Sequence, residues 1–143
     1  MNQEILRGLV MDYGEFLENE DYSEDAVRRL FAEDAEVEFA MGGTGTGIFA
    51  IGVGHRKMLE SFDSAHHNIT NIVFDTEEES FAKIRFHMEV LHEFKPEIAA
   101  HTPGNLFIVN DRICMEARKE ETGWKITGLH MKTVYKRMTS TVE

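Results

Sequence analysis

The stretch Phe81-Ala82-Lys83-Ile84-Arg85-Phe86-His87-Met88-Glu89-Val90-Leu91-His92-Glu93-Phe94 decides the fold class. Ala82, Ile84, Phe86, Met88 and Val90 alternate with Lys83, Arg85, His87 and Glu89, the period of two that a strand shows when one face is buried and the other wet. A half-buried strand this long belongs to an antiparallel sheet covered on one side only. His92 continues the apolar face. A strand-end histidine commonly bonds to backbone, and that reading stands beside a functional one.

Working outward, the sequence predicts strands over roughly 65–75, 80–94, 104–119 and 123–136. The acidic Asp75-Thr76-Glu77-Glu78-Glu79 forms a turn, and Thr122-Gly123 marks the last hairpin. Asn110-Asp111 lacks the glycine of a tight turn, so 104–119 reads as one continuous or bulged strand. Glu77, Glu78 and Glu79 read as a solvated turn rather than a metal site.

Upstream the period changes. Ile5, Leu6, Leu9, Val10, Tyr13, Phe16 and Leu17 fall at helical spacing over 4–18, with Arg7, Asp12, Glu15 and Glu18 on the other sides. Asp21 or Ser23 can cap a second helix that buries Ala26, Val27, Leu30 and Phe31. A weak strand, Ala35 to Met41, leads into the glycine-rich 42–47 and an apolar Ile48-Phe49-Ala50-Ile51 segment. A third helix is predicted over His55 to Phe62, burying Met58, Leu59 and Phe62. The glycine run lacks the Gly-Lys-Ser/Thr ending of a phosphate loop, which excludes that reading. Helices first and long antiparallel strands after predict an α+β fold, its helices packed on one face of a curved sheet that encloses a pocket.

The 143 residues predict a single domain, 1–143, large enough for a core and a small cavity. Fifteen basic against twenty-six acidic residues give a net charge of −11, which argues against nucleic acid and anionic membranes as partners. Cys114, the only cysteine, lies between Ile113 and Met115 and reads as a buried thiol, so neither an internal disulfide nor a cysteine zinc cluster is expected. Neither a signal peptide nor a membrane span is read, and a cytoplasmic protein is expected.

The candidate chemistry lies in histidines, whose charge changes near neutral pH. His66 and His92 fall at the ends of what read as neighbouring strands. Parity leaves open which of His66 and His67 faces inward, because both alternating sets of 65–74 are mixed. His130 shares a face with Trp124, Ile126 and Gly128, and an inward or a purely structural histidine fits that position. The histidines lack short metal-ligand spacing, so no metal is expected.

Four stretches in this order resemble the SnoaL-like branch of the nuclear transport factor 2-like superfamily, which includes scytalone dehydratase, ketosteroid isomerase and polyketide cyclases. They are Tyr13 to Asp21 followed by Leu30-Phe31-Ala32-Glu33-Asp34-Ala35; Gly54 to Phe62; Ser64 to Asn71; and Gly123-Trp124-Lys125-Ile126. The resemblance implies an α+β cone with an internal pocket, and a catalytic set of an acid ending the first helix and two strand histidines. Those positions look like Glu18, His66 and His92. Two departures stand out: the acid is usually aspartate, with Glu20 and Asp21 as alternative carboxylates here, and the tyrosine beside it in scytalone dehydratase looks like Leu17. Tyr13, a turn earlier, could supply a phenol or be core. Asn71, His130 and Tyr135 are further pocket candidates.

The implied function is a cofactor-independent dehydratase or isomerase acting on a hydrophobic cyclic hydroxyketone or polyketide-like substrate. His66 would be the base, held by Glu18, and His92 the donor or acid toward the leaving oxygen. The alternative is a non-catalytic ligand-binding or dimerisation domain, including a ring-hydroxylating oxygenase small-subunit role. Eight methionines and ten phenylalanines suit a hydrophobic ring-containing ligand under either reading. A homodimer is expected through outer sheet faces, with Phe107, Val109, Ile113 and Met115 as candidate outward residues.

Overall fold

A computed structural model describes residues 2–140. The elements are α1 (Asn2–Glu18), α2 (Glu24–Leu30), β1 (Phe31–Glu38), β2 (Thr44–Thr46), α3 (Ile48–Leu59), β3 (Phe62–Glu77), β4 (Phe81–Phe94), α4 (Pro96–Ala99), β5 (Leu106–Glu120) and β6 (Gly123–Thr139). One six-stranded sheet has the order β2-β1-β6-β5-β4-β3. All its pairs are antiparallel except β1 with β6, which run parallel. The architecture is the expected α+β fold, helices lying on one face of a curved sheet.

The central strand behaves as its alternation dictates: Ala82, Ile84, Phe86, Met88, Val90 and His92 are all buried, with exposed residues between them. From the helical side, Leu6, Val10, Tyr13 and Leu17 of α1 fill the same core as Ile84, Phe86, Ile113, Met115, Ile126 and Leu129 of the sheet. Burying each large apolar side chain contributes about 1.5–3 kcal/mol.

The junction of α2 with β1 and the extent of the third helix differ from the sequence reading. Phe31 ends α2 as its C-cap, with φ −108° and ψ 143°, and opens β1 instead of completing the helical stripe. The third helix begins seven residues before His55, at Ile48, because Gly47 caps it with φ 86°. Its glycines hid it. A Cβ on Gly52 would lie 2.5 Å from the Tyr22 carbonyl oxygen, and one on Gly54 would clash with the Phe39 ring. Tertiary packing therefore holds residues that cost about 1 kcal/mol each in a helix. Gly52→Ala is expected to destabilise the fold by about 1–3 kcal/mol, since the clashing atom is backbone; a urea midpoint equal to that of the parent protein would refute this.

Bulges decide which side chains reach the interior. In β3, Thr70 pairs with His87 and Val73 with Arg85, so Asn71 and Ile72 together face one β4 residue, with Asn71 at φ 55°. In β6, Thr127 and Val134 are the extra residues. Each bulge inverts the in-out alternation that follows it and bends the sheet.

Two expectations are corrected here. Cys114 is exposed on the outer sheet face, opposite His130 of β6, because β5 turns Ile113 and Met115 inward. For the same reason Val109, Ile113 and Met115 are core residues and offer no outward surface, and Phe107 lines a cavity. No helix among the described residues is long and apolar enough to cross a membrane.

Candidate active site

Between α1, α3 and the inner faces of β3 to β6 lies a cavity of about 100 Å³, walled by apolar groups such as Leu17, Met58, Leu59, Phe62, Met88 and Val90. Five residues bring polar side chains to it: His67 from β3, His92 from β4, Asp111 from β5, and Thr133 with the exposed Lys136 from β6. An open cleft of about 360 Å³ adjoins it, sharing Leu17, Leu59 and Phe62 and adding Glu18, Glu20, Arg56 and Lys95.

The inward histidine of β3 is His67. Ahead of the Asn71 bulge the inner set is Ala65, His67 and Ile69, and beyond it Ile72 and Phe74. The bulge is why neither parity set looked apolar throughout. His66 is exposed on the other side of the strand, so the pocket position expected for it belongs to its neighbour.

The His67 side chain is only 3% exposed. Glu18, the last residue of α1, accepts the His67 backbone N–H at 2.7 Å and lies 3.3 Å from Nδ1, both through Oε1. A carboxylate at a helix C-terminus opposes the helix dipole at a cost of about 0.3–1 kcal/mol, and the last turn carries no basic residue to relieve it. Contact with His67 offsets that cost. Of the three carboxylates the sequence offered, Glu18 alone makes this contact; Asp21 instead accepts the Ser23 N–H, and Glu20 lies in the outer cleft.

Because a carboxylate only accepts, the His67 proton belongs on Nδ1 and the lone pair on Nε2. Burial pulls the His67 pKa below its ordinary value, while the hydrogen bond and charge of Glu18 push it back up. In Glu18→Gln the opposing charge is gone, so His67 is expected to titrate at still lower pH; an unchanged or raised value in an NMR titration would break the assigned coupling.

His92 is 7% exposed and stacked on Phe62 at 4.1 Å between ring centroids, with Phe107 on it at 5.7 Å. Its Nδ1 donates to the Phe107 carbonyl at 3.1 Å, which leaves a lone pair on Nε2. Burial lowers its pKa to about 4 against the hydrogen bond to Phe107. At neutral pH His92 is thus an acceptor, not the donor or acid the sequence reading made it. Its ring centroid lies 6.4 Å from that of His67, edge to face.

The remaining candidates lie elsewhere. Tyr13 is fully buried in an aromatic cluster outside the cavity lining, its hydroxyl 2.9 Å from His55 Nε2. Asn71 is exposed at the bulge and bonds to His87. The Thr127 bulge turns His130 outward, where it approaches Glu38 and Glu116. Past the Val134 bulge, Tyr135 is 49% exposed.

Asp111 was missed. It is 8% exposed, accepts a hydrogen bond from Thr133 Oγ1 at 2.9 Å, and has its pKa raised by burial, with the Thr133 bond working the other way. An acidic residue on the face defined by Val109, Ile113 and Met115 was the available signal, obscured because that face was read as outward.

A family model described as the SnoaL-like domain matches residues 3–130. Among functionally curated proteins none matches the sequence. Similar solved structures include a protein from Novosphingobium aromaticivorans provisionally described as a scytalone dehydratase, 21% identical with TM-score 0.80, the match covering 99% of this chain and 89% of that one. The hexachlorocyclohexane dehydrochlorinase LinA type 3 from Novosphingobium barchaimii is 13% identical with TM-score 0.80, covering 99% and 92%. A protein from Novosphingobium aromaticivorans provisionally described as an aromatic ring hydroxylase is 22% identical with TM-score 0.78, covering 94% and 90%. At these identities the structures share the fold.

Proposed function

The chain belongs to the SnoaL-like domain family, and from that premise we propose that it is a cofactor-independent dehydratase or isomerase acting on a small hydrophobic cyclic hydroxyketone or polyketide-like substrate. The observation that carries this reading is the buried His67, its Nδ1 3.3 Å from the Glu18 carboxylate and its ring at the wall of an apolar cavity. His67 Nε2 removes the proton next to the substrate carbonyl, and Glu18 holds the tautomer and stabilises the imidazolium that forms. His92, fixed by Phe107, accepts a hydrogen bond from the substrate and orients it. A cavity of about 100 Å³ lies below the roughly 300–1,000 Å³ of drug-sized sites, which suits one small ring with its substituents in the adjoining cleft.

A screen of cyclic hydroxyketones with the purified chain tests the reading. Turnover by this chain alone, lost in His67→Ala, is the expected result. A second reading, a ligand-binding subunit without chemistry, draws support from the likeness to the protein described as an aromatic ring hydroxylase. It requires a larger catalytic chain to co-purify and no turnover from this chain. As a homodimer the protein would pair through the outer sheet face, where Leu91, Val134 and Tyr135 are exposed.

A further inference from the structure

The base leaves one buried group of the cavity without a task. Asp111 sits on the inner face of β5 between the buried Val109 and Ile113, and its one hydrogen bond among the described residues comes from Thr133. The ionisable groups that face this region are Tyr13 from α1, His67 from β3, His92 from β4 and Lys136 from β6. Tyr13 is engaged by His55, and His92 presents a lone pair. No cation pairs with Asp111 within hydrogen-bond distance among the described residues, and a carboxyl buried without one favours its neutral, proton-bearing form.

We propose that Asp111 is the proton donor to the departing hydroxyl of a β-hydroxyketone, so that the cavity is built for loss of water rather than for migration of a double bond. This rests on His67 acting as the base. His67 Nε2 takes the proton from the carbon next to the carbonyl, and the electron pair of that C–H bond passes into the enolate. The enolate then forms the new C=C bond as the C–O bond to the hydroxyl breaks. The leaving oxygen keeps the C–O pair, takes the Asp111 proton and departs as water. The carboxylate and the imidazolium left behind return to their starting forms by proton exchange with solvent. Double-bond migration releases no leaving group and so needs no proton at a departing oxygen.

A matched pair of probes separates the two assignments: 3-hydroxycyclohexanone, whose leaving group needs a proton, and 3-chlorocyclohexanone, whose chloride does not. Asp111→Asn is expected to slow elimination from the hydroxyketone by roughly 10²–10⁴-fold and to change that from the chloroketone by no more than a few-fold. His67→Ala slows both. Equal slowing of both probes in Asp111→Asn, or of neither, overturns the acid while leaving the base in place. Absence of His67-dependent turnover of either probe overturns both assignments.

Thr133→Val supplies a second reading in a variant that keeps the carboxyl. Removing the hydroxyl that stabilises ionised Asp111 shifts the alkaline loss of hydroxyketone turnover to higher pH, and an unmoved limb counts against the proposal. A merely structural Asp111 would move neither the leaving-group ratio nor that limb.

Discussion

Replacing His67 with alanine is expected to lower kcat/KM on any substrate the protein turns over by roughly 10²–10⁴-fold, the contribution of a positioned general base. The neighbouring His66→Ala should stay within a few-fold of the parent protein. The contrast follows from the strand alone: the two side chains leave opposite faces of β3, and His67 is 3% exposed against the cavity while His66 is exposed. Circular dichroism and thermal unfolding of both variants control for loss of structure. If His66→Ala proves the damaging change, or if both variants retain full turnover, the site has been assembled around the wrong residue. Glu18→Gln should show an intermediate loss, because the amide can still accept the His67 backbone N–H but no longer stabilises an imidazolium.

Acidification is expected to unfold the protein through its histidines before its surface carboxylates contribute. His55 is fully buried, its Nδ1 2.8 Å from the Ile51 carbonyl and its Nε2 accepting from Tyr13, so burial lowers its pKa to about 4. The unfolded chain binds this proton near pH 6.5 and the folded chain only near 4. Below 6.5 the unfolded state therefore holds more protons, and stability falls as the pH drops from 6.5 toward 4. At about 1.4 kcal/mol per pH unit, His55 alone accounts for about 3 kcal/mol over that window.

His92, also lowered to about 4, acts in the same direction and window. Asp34 and Asp75, held below the usual carboxylate range by hydrogen bonds from Arg118 and Arg85, lose their contribution only at lower pH. Urea unfolding at pH 7 and pH 4.5 measures the difference. His55→Gln should flatten the slope while lowering stability at pH 7, and an unchanged slope would show that the ring is not buried neutral.

The sheet was legible because its signal is local and repeated. Strands β4, β5 and β6 start and end within about three residues of their sequence-read limits, since period-two alternation over fourteen or more residues has no competing helical explanation. The first helix was as plain, with Leu6, Leu9, Val10, Tyr13, Phe16 and Leu17 all buried where the 3.6-residue period puts them. The third helix was obscured because Gly52 and Gly54 answer to Tyr22 and Phe39, contacts that no local reading contains.

The candidate site divides along the same line. The sequence by itself determined the fold class, the inward place of His92, continuing the Val90 parity, and the place of Glu18 at the end of the first helix, because each depends on the period of its own element. Only the tertiary structure decided that His67 faces the cavity instead of His66, that His130 and Tyr135 turn away, and that Asp111 joins the histidines. A β-bulge is fixed by how a strand matches its partner and bends around the core. One extra residue, at Asn71, Thr127 or Val134, inverts the parity of everything after it while leaving composition unchanged.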